Sequence, residues 1–308
     1  MIINTGQRTD IPAFYSEWFI NRINAGFCYV RNPYFPKQVT KYILDPSVVD
    51  VLVFCTKNPT PMLKYMDNLK KYRMFWFVTI TPYGKDIEVN VGDKKQIIES
   101  FKKLSLIIGK EKIHLRYDPI IINDEWNVEK HIKAFRRLLT LLRGYTNSVT
   151  ISFLDIFDKV KKNASDLKAP TKSEEESLIK AFIPIAKENK MTLRLCLEDN
   201  NYQKYGITTN GCMTKEVIED ALSITLNKNI KGYRKGCNCL ITNDIGQYNT
   251  CLHNCRYCYA NYSYDLVKRN YKNHDKNSPL LIGNIEDDDI IKEAKMESYI
   301  NDIHTLFN

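Results

Sequence analysis

The sequence predicts an α/β fold, a partial or closed parallel (β/α) barrel of six or seven units. Three observations carry this. Short apolar, β-branched runs alternate with stretches of helical periodicity, the pattern of βαβ units. The runs are apolar throughout rather than alternating with polar residues, as in a sheet covered on both faces. The 308 residues contain no repeat, no low-complexity stretch and no linker strong enough to split the barrel.

In chain order, the first strand is ended by Thr5, Gly6, Arg8, Thr9 and Asp10. Residues 49–55 read as a strand and 61–72 as a helix. Strands over 74–80, 112–117 and 148–154 are followed by helices over 94–108, 128–142 and 173–189. His114 falls where a strand-packing residue belongs. Thr171 supplies a cap for the last of these helices, and Glu174, Glu175 and Glu176 supply first-turn acids. A strand over 192–197 and a helix over 214–226, capped by Thr214, complete a barrel core placed at 1–229. Residues 230–265 are rich in Gly, Asn, Cys and aromatics with weak periodicity. They read as a cysteine-rich, loop-rich segment that completes the barrel. Residues 266–308 read as a helical tail packed on it, with Asp287, Asp288 and Asp289 opening a helix that runs to near Leu306.

Apolar residues make up 44% and charged residues 26%, an ordinary globular composition. No apolar run approaches the roughly 18 residues of a membrane span, and no signal peptide is visible. A cytoplasmic protein is expected. Nine cysteines in such a chain favour metal or redox chemistry over disulfides. The net charge of +9 suits an anionic substrate, nucleic acid or an acidic partner, although solvated lysine faces have the same effect.

The most informative stretch contains Cys251, Cys255 and Cys258. Three thiolates on one short loop can hold three irons of a [4Fe–4S] cube and leave the fourth iron open. The competing reading is a zinc site completed by His253 or a distant cysteine.

The CxxxCxxC spacing, with Tyr257 before the last cysteine and Tyr259-Ala260-Asn261 after it, resembles the signature of the radical S-adenosylmethionine (SAM) superfamily. Tyr-Cys-Tyr-Ala resembles the spore photoproduct lyase branch in particular. The arrangement over nearly the whole chain, with Cys237 and Cys239 followed by Asp244, Tyr248 and Thr250, resembles an uncharacterised bacterial family with the motif at its C-terminal end. The resemblance implies that Cys251, Cys255 and Cys258 bind the cluster and that Tyr257 lies beside the adenine of SAM. An electron from the cluster would cleave SAM to methionine and a 5′-deoxyadenosyl radical. The motif normally lies near the N-terminus. Here about 250 residues precede it, and the chain looks like a circular permutation whose last segment supplies the strand that usually comes first.

In a parallel barrel the active site lies at the C-terminal ends of the strands. Polar residues there are Thr5, Arg8, Thr9 and Asp10, Thr56, Lys57 and Asn58, Thr79 and Thr81, Arg116 and Asp118, and Asp155. By the same resemblance Lys57 and Arg116 approach the SAM carboxylate or ribose, and Thr79 and Thr81 hydrogen-bond it. The structural alternative is loop anchoring, with Arg116 paired to Asp118 and Lys57 solvated. Cys55 ends a strand where a thiol can donate a hydrogen atom to a substrate radical; core filling is its other reading.

Cys196, Cys212, Cys237 and Cys239 would make a complete Cys₄ set for a second iron–sulfur cluster or a zinc ion, with iron–sulfur preferred; buried neutral thiols are the alternative. The function expected is an iron–sulfur enzyme that abstracts hydrogen from a small molecule or a nucleic-acid lesion. A flavodoxin- or ferredoxin-like electron donor is implied. The alternative is a non-catalytic metal-binding or redox-sensing protein.

Overall fold

The computed structural model describes residues 1–156, 160–161, 164–196, 200–209, 211–227, 238–240 and 243–300. Seven strands form one sheet: β1 (Ile2–Asn4), β4 (Val51–Thr56), β5 (Met74–Thr79), β6 (Ile113–Ile120), β7 (Ser148–Phe153), β8 (Thr192–Leu195) and β9 (Asn243–Asp244). Their spatial order is β8-β7-β6-β5-β4-β1-β9, and every pairing is parallel. The fold is therefore α/β with an all-parallel central sheet. The chain's last strand in this sheet lies beside its first, with Ile3 opposite Asn243 and Asn4 opposite Asp244.

Alternation along the strands explains why they are apolar throughout. One set of side chains, including Ile3, Leu52, Phe54, Trp76 and Val78, packs into the main core under the helices. Phe54 stacks on Trp76 at 4.1 Å there. The opposite set, including Ile2, Val51, Val53, Phe75 and Phe77, packs against residues 212–226 and Leu240. Burying each such side chain contributes about 1.5–3 kcal/mol. His114 lies on this second face and meets Phe75 edge-on at 4.7 Å, as a packing residue.

The helices are α1 (Ile11–Phe14), α2 (Ser16–Ala25), α3 (Thr60–Leu63), α4 (Lys94–Ile108), α5 (Val128–Leu141), α6 (Lys172–Glu188), α7 (Lys215–Leu222) and α8 (Tyr264–Lys272). Asp93, Asn127, Thr171 and Thr214 cap α4 to α7 by accepting a hydrogen bond from an N–H of the first turn. Thr171 and Glu174 form a reciprocal capping box. The helix expected over 214–226 stops at Leu222, where Ser223 turns left-handed at φ 54°.

A second sheet was not foreseen. The hairpin β2 (Phe27–Arg31) and β3 (Gln38–Ile43) receives β10 (Ile290–Glu293) in parallel on the free edge of β3. This corrects the helix expected after Asp287, Asp288 and Asp289. The acids are met by hairpin cations instead of a helix dipole. Lys37 bridges Glu286 and Asp288, both at 2.7 Å, and Arg31 holds Asp289 at 2.7 Å. The open edge of β3 then pairs with the chain that follows. Residues 301–308 of the expected helix lie outside the described residues. Among the described residues no helix is long and apolar enough to cross a membrane.

Candidate functional site

The C-terminal ends of the parallel strands form one mouth. Cys55 on β4, Thr79 on β5, Arg116 on β6 and Ser152 on β7 alternate onto the same face as Val53, Phe77 and His114. The approach of β1 to β4 depends on Gly6. A Cβ there would lie 2.2 Å from the Cys55 carbonyl oxygen and 2.5 Å from its Cβ. Burial pushes the Cys55 thiol up to about 12, against the opposing pull of Arg116.

The cysteine loop follows β9 and is pinned along its backbone. Asn249 and Asn254 adopt left-handed φ of 60° and 53°. Asn261 donates its amide to the Cys251 carbonyl at 2.7 Å, and Cys258 N–H bonds the Cys255 carbonyl at 3.1 Å. The segment around Glu88 clamps the other side. Asn90 donates its N–H to the His253 carbonyl and its amide to the Leu252 carbonyl, both at 2.9 Å. Arg256 N–H reaches the Ile87 carbonyl at 3.0 Å. Cys251 is 9% exposed. Burial, then Asp10 and the charges of Cys258 and Cys255, hold its thiol well above the usual range, and burial does the same for Cys255. Cys251 and Cys255, whose ionisation is opposed by burial and by the neighbouring sulfur charges, suit a cation that relieves the repulsion.

Glu88 is the residue that the sequence reading missed. It is 1% exposed and accepts from Lys57 Nζ and Thr81 Oγ1, each at 2.7 Å, and from Lys94 and the Tyr257 hydroxyl. Burial alone would raise its pKa; Lys57 and Lys94 outweigh that and hold it below the ordinary carboxylate range. Lys57 is buried yet held charged by Glu88, whereas at Lys94 burial wins and lowers the pKa. Lys57 also lies 5.5 Å from the centre of the Tyr257 ring. The structure thus gathers Lys57, Thr81 and Tyr257 around one carboxylate beside the cysteine loop.

Asp10, among the polar residues that end the first strand, is a second hub. Its carboxylate caps α1 at Ala13 N–H (3.0 Å) and accepts from Lys57 N–H and His253 Nε2, both at 2.8 Å. His253, the alternative zinc ligand, therefore has Nε2 engaged, while its buried Nδ1 has no hydrogen-bond partner. Asp10 ahead of Ile11 and Pro12 is a helix-start signal that could have revealed this hub.

Arg116 points elsewhere. It bonds Asp118 Oδ2 through Nε at 2.9 Å and through a terminal nitrogen at 2.5 Å, and its other terminal nitrogen reaches Cys212 Sγ at 3.4 Å. Cys212 Sγ lies 3.7 Å from Cys196 Sγ and 3.7 Å from Cys239 Sγ. Met213 N–H donates to Cys239 Sγ at 3.3 Å. Hydrogen bonds from both neighbouring thiols lower the Cys212 pKa well below the usual range despite burial, and Arg116 adds to this. Cys237 lies outside the described residues, and Cys28 is buried in β2, away from both groups. Cys55 packs against the cluster that holds Cys212 and Cys239.

Fold and site together define an α/β protein whose parallel sheet gathers two cysteine groups at the ends of its strands. Residues 2–260 match the family described as a domain of unknown function (DUF1848), and the chain belongs to that family. The match ends two residues after Cys258. A comparison with curated proteins gave no match.

Proposed function

We propose that the protein is an iron–sulfur enzyme that reductively cleaves SAM and uses the resulting radical to abstract hydrogen from a substrate held over the strand ends. The observation that carries this reading is the short loop that holds Cys251, Cys255 and Cys258 within eight residues, pinned along its backbone by Asn90, Asn261 and Arg256. Three cysteines on one such loop suit a [4Fe–4S] cube with one open iron. When bound, the cluster supplies the electron that splits SAM into methionine and a 5′-deoxyadenosyl radical.

The chain's own residues supply the rest. Lys57 uses one of its three donors on Glu88. The others are free to meet the carboxylate of the cosubstrate at short range. Glu88 fixes the Tyr257 hydroxyl, which orients the ring face for contact with the adenine. Thr79, Thr81 and Arg116 are the further polar groups of this mouth, and Cys55 is the candidate hydrogen donor. Placement of β9 beside β1 supports a circularly permuted, partial (β/α) barrel in which the C-terminal strand takes the usual first position. An acidic flavodoxin- or ferredoxin-like donor would dock on the cationic surface.

The test is anaerobic reconstitution with iron and sulfide, then electron paramagnetic resonance of the dithionite-reduced protein. A [4Fe–4S]⁺ signal that shifts on adding SAM is expected. A cluster blind to SAM, or uptake of zinc alone, would remove the radical mechanism and leave a metal-binding or redox-sensing protein.

A further inference from the structure

Cys196, Cys212 and Cys239 come from three separate segments: the residue after β8, the turn before α7, and the strip bonded to that turn through Leu240 N–H and the Met213 carbonyl. Cys212 is the middle member. The Cys196 thiol donates to its sulfur at 3.7 Å, and Cys239 Sγ also lies 3.7 Å from it.

The two partners of Cys212 differ. Cys239 is fully buried, and its sulfur is tied down by the Met213 N–H at 3.3 Å. A Cβ on Gly211 would lie 3.0 Å from that sulfur, so the backbone closes over it. Cys196 is half-buried. A reagent from solution meets Cys196 first, and Cys212, 4% exposed, sits behind it. A bonded sulfur pair lies at about 2.05 Å, so closing the Cys196–Cys212 contact asks each sulfur to move by about 0.8 Å. Side-chain rotation can supply this, because Cys196 follows the last residue of β8 and Cys212 precedes the cap of α7. Gly211, at φ +135°, bends the chain immediately before Cys212. A terminal nitrogen of Arg116 lies 3.4 Å from Cys212 Sγ. A guanidinium there favours the thiolate, the form that attacks a disulfide.

We propose that Cys196 and Cys212 are a redox-active pair that forms a reversible disulfide by exchange with a low-molecular-weight disulfide such as oxidised glutathione. Cys196 passes its proton to the Cys212 thiolate and attacks one sulfur of the reagent, releasing one thiolate. That thiolate takes the proton from Cys212. Cys212 then attacks the Cys196 sulfur of the mixed disulfide and expels the second thiolate. Two electrons pass to the reagent, which leaves as one thiol and one thiolate. The new bond joins positions 16 apart and clamps the end of β8 to the turn before α7. It also removes the thiolate facing Arg116 and leaves that cation to Asp118. A thiol reductant reverses the exchange. This pairing is independent of the reading of the Cys251 loop, and it excludes the second metal site expected from sequence on the same sulfurs.

The full chain is equilibrated anaerobically in glutathione buffers of increasing oxidised fraction, quenched with acid, alkylated and mapped by peptide mass spectrometry. A linked Cys196–Cys212 peptide that grows with the oxidised fraction and disappears with dithiothreitol is expected. In Cys212→Ser the linked peptide should fall at least about tenfold, and Cys196 should carry glutathione instead, because the thiol that resolves the mixed disulfide is gone. Should that variant fail to fold, Cys196→Ser gives a second readout: Cys212 should then take up no glutathione. Both thiols free in the fully oxidised buffer overturn the proposal. So does a bond mapped between Cys212 and Cys239. Zinc, or iron with sulfide, retained by a Cys251→Ser, Cys255→Ser, Cys258→Ser chain and lost on adding Cys212→Ser also overturns it.

Discussion

The two cysteine groups at this mouth are built in opposite ways. Cys251, Cys255 and Cys258 lie within eight residues, and the fold's work is to pin the backbone between them through Asn90, Asn261 and the stretch around Glu88. Cys196, Cys212 and Cys239 span over forty residues, and the fold's work is to bring Cys196 and Cys239 each to 3.7 Å from the Cys212 sulfur. Among the described residues the first group shows no such sulfur–sulfur contact. The cations differ as well. Beside the first group, Lys57 is bound to a carboxylate, Glu88, while beside the second Arg116 touches a sulfur directly. A short pinned loop suits a reactive cluster with an open position. Two thiol contacts to Cys212 join chain segments that lie far apart in sequence.

Separating the two groups by mutation gives the largest effect. Cys255→Ala should reduce SAM cleavage at least about a thousandfold, ~4 kcal/mol in the barrier, while any metal held by the second group stays unchanged. Product analysis under dithionite and metal measurement on the same sample check both halves. Equal loss at the two groups would mean that they are one unit.

Next comes Glu88→Gln, which leaves Lys57 and Lys94 without their buried counter-charge. Breaking a buried ion pair on one side costs about 3–5 kcal/mol, read as a shift in the denaturant midpoint. Binding of metal to the Cys251 group should weaken with it, and an unchanged midpoint would show that Glu88 is not the hub described.

Gly6→Ala should cost about 1–3 kcal/mol, the range for overpacking, because the obstacle is the β4 backbone at Cys55. A substitution without cost would mean that β1 and β4 separate easily at the mouth.

The smallest effect depends on pH. Burial first, and then the charge of Arg194, lower the His114 pKa from 6.5 to about 3. The unfolded chain therefore binds a proton below pH 6.5 that the folded chain refuses. Its contribution is present above pH 6.5 and is lost progressively as pH falls toward 3. At pH 5 the loss is about 2 kcal/mol. His114→Phe should flatten stability against pH between 6.5 and 5, measured by chemical denaturation at each pH. An unchanged slope would remove His114 as the source of acid sensitivity under the second group.

The alternation of elements and the cysteine triplet were legible because each is local. Apolar runs and helical periods predicted β4 to β8 and α4 to α6 to within a few residues. Spacing alone marked Cys251, Cys255 and Cys258. Thr171 announced its helix through capping chemistry that spans only three residues.

What the tertiary structure decided involves partners far apart in sequence. Glu88 is one glutamate in an aperiodic stretch, and only folding sets Lys57, Thr81, Lys94 and Tyr257 around it. Asp289 gave way to Arg31, 258 residues away, and β10 added to a hairpin whose open edge no local pattern reveals. The position of β9 beside β1 and the approach of Cys196 and Cys239 to Cys212 belong to the same class. Local propensity depends on neighbours within a few residues and is therefore written in the sequence. Buried charge, an unpaired strand edge and thiols drawn from separate segments are satisfied only when distant segments meet, and that meeting is decided by the packed sheet.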